Sequence, residues 1–165
     1  MKRKSVFILY LLMMSFGVFS QSNDALTNPE KITQHLLDLV SIEAGEKMPV
    51  EEIKSLFIEN ARLSILNQGD SSFVESVSID EFAELLNDPY YENGFQERPL
   101  GTISEEFNGI AQVFQSFEAV DSEGESGRGI NSFQLAYFNE RWWIVSLVWT
   151  TTDGIDIPEK YLNGK

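Results

Sequence analysis

The sequence predicts a single α+β domain in which three N-terminal helices cover one face of a curved antiparallel sheet. Three observations predict it. Apolar residues recur at helical spacing in three segments before position 90. Four β-type runs follow from position 96, separated by residues suited to hairpin turns. All three tryptophans fall between positions 107 and 152, so the main sheet and the walls of any pocket belong there. At 165 residues and 42% hydrophobic content the chain can bury one real core, and no internal repeat or low-complexity tract divides it.

Residues 1–20 read as a secretory signal. The basic head Lys2-Arg3-Lys4 runs into an apolar stretch from Val6 to Phe19, broken by Ser15 and Gly17, with a cleavage point expected near Ser20. That stretch is shorter than the ~20 residues a membrane-spanning helix needs; an uncleaved anchor is the alternative. Cleavage leaves a periplasmic or secreted protein with no membrane attachment. No cysteine is present, which excludes a disulfide framework and thiolate chemistry. With 26 acidic against 12 basic residues the net charge is −14, a field that repels nucleic acid and anionic lipid but leaves a cationic partner open.

After a flexible lead at 21–28, Asn28-Pro29-Glu30 reads as a helix start. Ile32, Leu36, Leu39 and Val40 form its apolar stripe, and the helix is expected to end near Gly45. His35 lies beside the stripe and reads as structural, since a lone histidine without a nucleophile or ligand set carries no signature. A second helix begins after Pro49, with Val50, Ile53, Leu56 and Phe57 at helical spacing, and hands over to a short strand at 61–66. Residues 67–72 are a loop by composition. Ser78 and Glu81 are spaced as a capping box opening a third helix, which Asp88-Pro89 ends.

The sheet follows. An extended segment covers 96–107, and Pro99 within it suits an edge strand or a bulge. Asn108-Gly109 is a hairpin signal, because both central residues of a type I′ turn need positive φ. A long hydrophilic turn at 121–127 and a short one at Asn139-Glu140-Arg141 complete a four-stranded meander. In the last strand Trp143, Val145, Leu147 and Trp149 are expected on one face and Trp142, Ile144, Ser146 and Val148 on the other. Both faces are then largely apolar, so the face away from the helices is expected to pack on a second copy, giving a homodimer through the sheet, or on the tail at 153–165.

The arrangement resembles the nuclear transport factor 2-like superfamily, and its SnoaL-like branch in particular. The resemblance rests on Phe57-Ile58-Glu59-Asn60-Ala61-Arg62-Leu63, on Asn108-Gly109-Ile110-Ala111-Gln112-Val113-Phe114, on the run from Arg128 to Leu135, and on the run from Arg141 to Trp149. It implies a cone, with residues 29–152 forming a bent sheet closed by helices around a pocket. The superfamily hosts isomerases, cyclases, dehydratases and pure binding modules, so the fold does not settle function. Similar ketosteroid isomerases place a general-base aspartate where this chain has Ile65 and a second acid near Gln134, so that pair is absent.

The resemblance puts Gln134 inward together with Trp149, and strand alternation places Ser132 with Gln134. Ile65, Tyr91, Ser132, Gln134 and Trp149 are therefore the pocket candidates: an aromatic floor with amide and hydroxyl groups for a small apolar ligand. The competing reading gives these side chains purely structural roles, with Phe114, Phe117 or Tyr91 filling the cone. Tyr90 and Tyr91 either close the mouth or sit in a surface turn. Glu118 and Arg128 are expected to pair across the base of the long turn. Glu105 and Glu106, adjacent on a strand, point to opposite faces and cannot converge on one substrate. One histidine, no cysteine and no tight carboxylate cluster give no basis for a metal or other cofactor. The sequence thus points to a small-molecule-binding domain, with an isomerase-, cyclase- or dehydratase-type enzyme or a dimeric interaction module as alternatives.

Overall fold

The computed structural model describes residues 24–68 and 71–163; the expected signal segment at 1–20 lies outside them. Helix α1 (Pro29–Val40) starts as its sequence dictates. The Asn28 side-chain oxygen accepts the N–H groups of Glu30 and Lys31 at 2.8 and 3.1 Å, and Pro29 sits in the first turn, where its missing N–H costs nothing. The stripe Ile32, Leu36, Leu37 and Val40 is buried. The helix stops at Val40, short of Gly45. Ser41 turns extended, its hydroxyl donates to the Leu37 carbonyl at 2.8 Å, and Ile42 leaves to exchange two backbone hydrogen bonds with Phe95. The domain also reaches back before Pro29: Leu26 packs on the core and its carbonyl accepts the Trp142 N–H at 2.8 Å.

Helix α2 (Val50–Ser55) leads into β1 (Phe57–Asn67), which is longer than the strand expected at 61–66. Next comes β2 (Phe73–Ser78), a strand the sequence did not signal. Phe73 and Val74 are neighbours with 55% and 61% exposure, so neither face of this edge strand shows a buried alternation. It is held by backbone pairing to β1 and by a 2.7 Å contact between the Ser64 and Ser76 hydroxyls. Helix α3 (Ile79–Leu85) opens with the expected box: the Ser78 Oγ accepts the Glu81 N–H and the Glu81 carboxylate accepts the Ser78 N–H.

A 3₁₀ turn (Pro89–Asn93) then delivers the chain to the meander of β3 (Gln96–Phe107), β4 (Ile110–Val120), β5 (Ser126–Phe138) and β6 (Arg141–Thr151). The strand order is β2-β1-β6-β5-β4-β3, antiparallel throughout except for β1 beside β6. Both short turns carry two successive positive φ values, 47° and 83° at Asn108 and Gly109 and 50° and 63° at Asn139 and Glu140. Pro99 lies on the edge strand β3 beside a register shift, where its missing donor breaks no ladder.

The alternation expected for β6 fails at one point. Leu135 faces Ile144 but Gln134 faces Ser146, so Val145 is an extra residue in β6 and shifts everything after it by one. Trp142 and Ile144 therefore share the buried concave face with Leu147 and Trp149. Helix α1 packs over β3 and β4 on that face, and α3 over β1. On the convex face the tail supplies α4 (Glu159–Asn163), which covers one end of β3 and β4. The Ser116 hydroxyl donates to the Tyr161 carbonyl at 2.7 Å, and at Gly101 the tail comes so close that a methyl group would overlap the Tyr161 and Leu162 carbonyls. The opposite end of that face stays open, with Phe107 77% and Ile110 63% exposed.

Candidate functional site

The concave face and the helices line a half-open cavity of about 210 Å³. Leu36, Leu37 and Val40 of α1 form one wall, placed there by the same stripe that built the helix. Phe82 and Leu86 come from α3 and its C-cap, Tyr91 from the 3₁₀ turn, and Phe95 from the link between that turn and β3. The sheet contributes Phe117 and Ala119 from β4, and Leu147 and Trp149 from β6. The rings brace one another edge to face: Phe82 against Trp149 at 6.4 Å between centroids, and Tyr91 against Phe95 at 5.6 Å.

Three polar side chains interrupt this lining: Glu97 of β3, Asn131 of β5 and Thr151 at the end of β6. Thr151 is exposed and bonds to Asp153 at 2.9 Å, so it marks the solvent end. Glu97 and Asn131 lie within the wall. The Glu97 backbone is pinned where α1 ends, its N–H donating to the Ser41 Oγ at 2.9 Å. Its Oε1 accepts from Asn131 Nδ2 at 3.1 Å, while Oε2 has no partner among the described residues. Asn131 is 5% exposed. Burial pushes the Glu97 carboxyl up to about 7, against the pull of the Asn131 hydrogen bond, because a carboxylate removed from water without a counter-charge is disfavoured. Tyr91 is raised too, first by burial and then by the charges of Asp88 and Glu97.

The structure divides the five residues singled out by sequence. Tyr91 and Trp149 line the cavity. Ile65 pairs with Trp149 across β1 and β6 and shares its face, outside the lining. Ser132 and Gln134 are on the convex side, which corrects their inward assignment. Ser132 accepts from Gln112 Nε2 at 2.8 Å and Gln134 is exposed. The physical reason is parity: Trp149 faces Asn131, and Leu147 faces Phe133, so the odd-numbered residues of β5 point inward. Phe114 lies against Tyr161 on the convex face, and Phe117 and Tyr91 form walls that leave the cavity open. Tyr90 turns away from the lining, and its hydroxyl donates to Asp121 Oδ2 at 2.8 Å, tying the 3₁₀ turn to the β4–β5 turn.

Glu97 and Asn131 were missed by sequence reasoning. The signal was present: Glu97 alternates with Phe95 and Pro99, and Asn131 with Phe133 and Leu135, each a polar residue in an apolar face. Glu118 does pair with Arg128, at 2.8 Å, and also with Arg98, on the convex side away from the cavity. Among the described residues no group of three potential metal ligands comes together.

A curved six-stranded sheet wrapped around one apolar cavity defines a cone-type α+β domain. Solved structures identify that cone: the chain has the nuclear transport factor 2-like fold. An NTF2-like protein with a cystatin-like fold from Novosphingobium aromaticivorans is similar with a TM-score of 0.57 and 11% identity, over 81% of this chain and 88% of that one. Nuclear transport factor 2 of Cryptosporidium parvum is similar with a TM-score of 0.56 and 14% identity, over 79% and 94% of the two chains. A protein described as a candidate scytalone dehydratase, also from Novosphingobium aromaticivorans, is similar with a TM-score of 0.56 and 15% identity, over 74% and 80%. No family model matches the sequence, and no curated protein matches it.

Proposed function

We propose that the protein binds a small, largely apolar molecule in the cone, oriented by Glu97 and Asn131. The observation that carries this reading is a 210 Å³ cavity, lined mainly by carbon, with one carboxyl-amide pair in its wall. An apolar cavity of roughly 150 Å³ already accepts benzene, so this one suits a single ring with substituents or a small bicycle. Tyr91 and Trp149 belong to this site, with Ile65 beside Trp149 but outside the lining; Ser132 and Gln134 take no part.

A second reading has its own support. A lone carboxyl held near neutrality is suited to moving a proton, and the neighbour described as a dehydratase shares the fold. Binding is favoured because, among the described residues, Tyr91 is the only other titratable group in the lining, and its raised phenol stays protonated at neutral pH. Residues 1–20 direct export in this account, and the open part of the convex face forms a homodimer around Phe107 and Ile110.

The test is a thermal-shift screen of the chain from Gln21 against small apolar molecules, repeated on Trp149→Ala and Glu97→Gln. The reading expects a hit whose stabilisation is lost in the tryptophan variant. It is refuted if hits stabilise the parent and Trp149→Ala equally. Intact mass of the exported protein gives the cleavage point, and native mass spectrometry the oligomeric state.

A further inference from the structure

We propose that the cone selects organic cations: a small amine or quaternary ammonium attached to an apolar body. The inference rests on the reading of the cone as a ligand site and names the class of ligand it takes. Among the described residues the lining combines five aromatic rings, Phe82, Tyr91, Phe95, Phe117 and Trp149, with a carboxylate and no Lys, Arg or His. Aromatic faces attract a cation through their quadrupole, and the attraction grows where water is excluded. Glu97 supplies the opposite charge, and its Oε2 has no partner among the described residues.

Among the described residues no Lys, Arg or His bonds to it. Arg98 and Arg128 both bond to Glu118 on the other side of the sheet. A neutral ligand could donate one hydrogen bond to Glu97 but would leave its charge uncompensated, whereas a cation compensates it at the place where burial makes compensation worth most. An anion meets Glu97 inside and a chain of net charge −14 outside, the field that draws cations in. Size adds a limit: about 210 Å³ accommodates roughly ten heavy atoms, beyond the small-ring benchmark but short of a drug-sized ligand.

The experiment compares two probes of matched shape, phenyltrimethylammonium and tert-butylbenzene, which differ by a positive nitrogen in place of a quaternary carbon. Calorimetric titration uses the chain from Gln21 at pH 8.5 and at pH 5, for the parent and Glu97→Gln. The quaternary probe does not titrate, so any pH dependence belongs to the protein. Among the described residues the polar groups lining the site with Glu97 are the Asn131 amide, the Thr151 hydroxyl and the Tyr91 phenol, and of these only the phenol can titrate.

At pH 8.5 the parent is expected to bind the cation at least tenfold tighter than the hydrocarbon. At pH 5 the cation loses that advantage, a fall of at least tenfold with a ceiling of about 100-fold, because only about one molecule in a hundred then carries the Glu97 charge, given a carboxyl titrating at about 7. In Glu97→Gln both the preference and the pH dependence disappear while hydrocarbon binding survives. Hydrocarbon binding that equals or exceeds cation binding in the parent overturns the cation proposal and leaves the cone as a ligand site. A cation preference unchanged by Glu97→Gln overturns it as well. Failure of both probes to bind overturns the proposal together with the reading beneath it.

Discussion

Replacing Glu97 by glutamine isolates the charge at the centre of this account. The amide keeps the side-chain shape and can still accept from Asn131, but it cannot ionise. Burial raises the Glu97 carboxyl from 4.5 to about 7, and each unit corresponds to about 1.4 kcal/mol. The ionised group therefore costs the folded state about 3 kcal/mol. The sign follows from proton counting. Below pH 4.5 the group is protonated in both states and contributes nothing. Between 4.5 and 7 the folded chain holds a proton that the unfolded chain has lost, so stability falls as pH rises, and above 7 the loss is complete.

Urea denaturation of parent and variant at pH 4.5 and pH 8.5 measures it. Groups common to both proteins cancel in the double difference, leaving the variant more stable by about 3 kcal/mol at the higher pH, or roughly 10 °C in Tm. The reasoning is refuted if the double difference is zero, or if glutamine destabilises at pH 8.5.

Other expectations follow from the same geometry. Asn131→Ala removes the one hydrogen bond that holds the Glu97 carboxyl down, so a carboxyl-selective NMR titration should show its midpoint moving upward. Trp149→Ala should cost about 2 to 3 kcal/mol, less than a fully enclosed tryptophan because this ring is partly buried. Gln134→Ala, on the convex face, should stay within about 0.5 kcal/mol in the same denaturation series. Gly101→Ala forces a methyl against the Tyr161 and Leu162 carbonyls, so limited proteolysis should cut the tail after residue 152 faster than in the parent.

What was legible in the sequence was local. The Asn28-Pro29 start, the Ser78–Glu81 box and the Asn108-Gly109 turn each depend on residues one to three apart, and each appears where the sequence put it. The meander was legible because short turns force neighbouring strands to pair. The end of α1 was not, since Ser41 leaves the helix for a partner 56 positions away on β3. Nor was β2, an edge strand held by its backbone with exposed apolar side chains on both faces. The site suffered most, because a strand has a period of two and one bulged residue inverts every later assignment. Val145 did this in β6, and the parity of β5 was misread by one position, which exchanged Ser132 and Gln134 for Asn131 and Phe133. Glu97 escaped notice for another reason: one carboxylate in a chain with 26 acidic residues stands out only once its neighbours are known.

The most direct test of the cone as a ligand site is a titration followed by ¹H–¹⁵N NMR with tert-butylbenzene at pH 5, where Glu97 is protonated and the cavity is at its most apolar. The account predicts saturable shifts of the Trp149 indole N–H and the Asn131 side-chain amide, with Trp143 on the convex face unmoved. Shifts confined to Trp143 and the exposed apolar end of the sheet, or no saturable shift at Trp149, would contradict it.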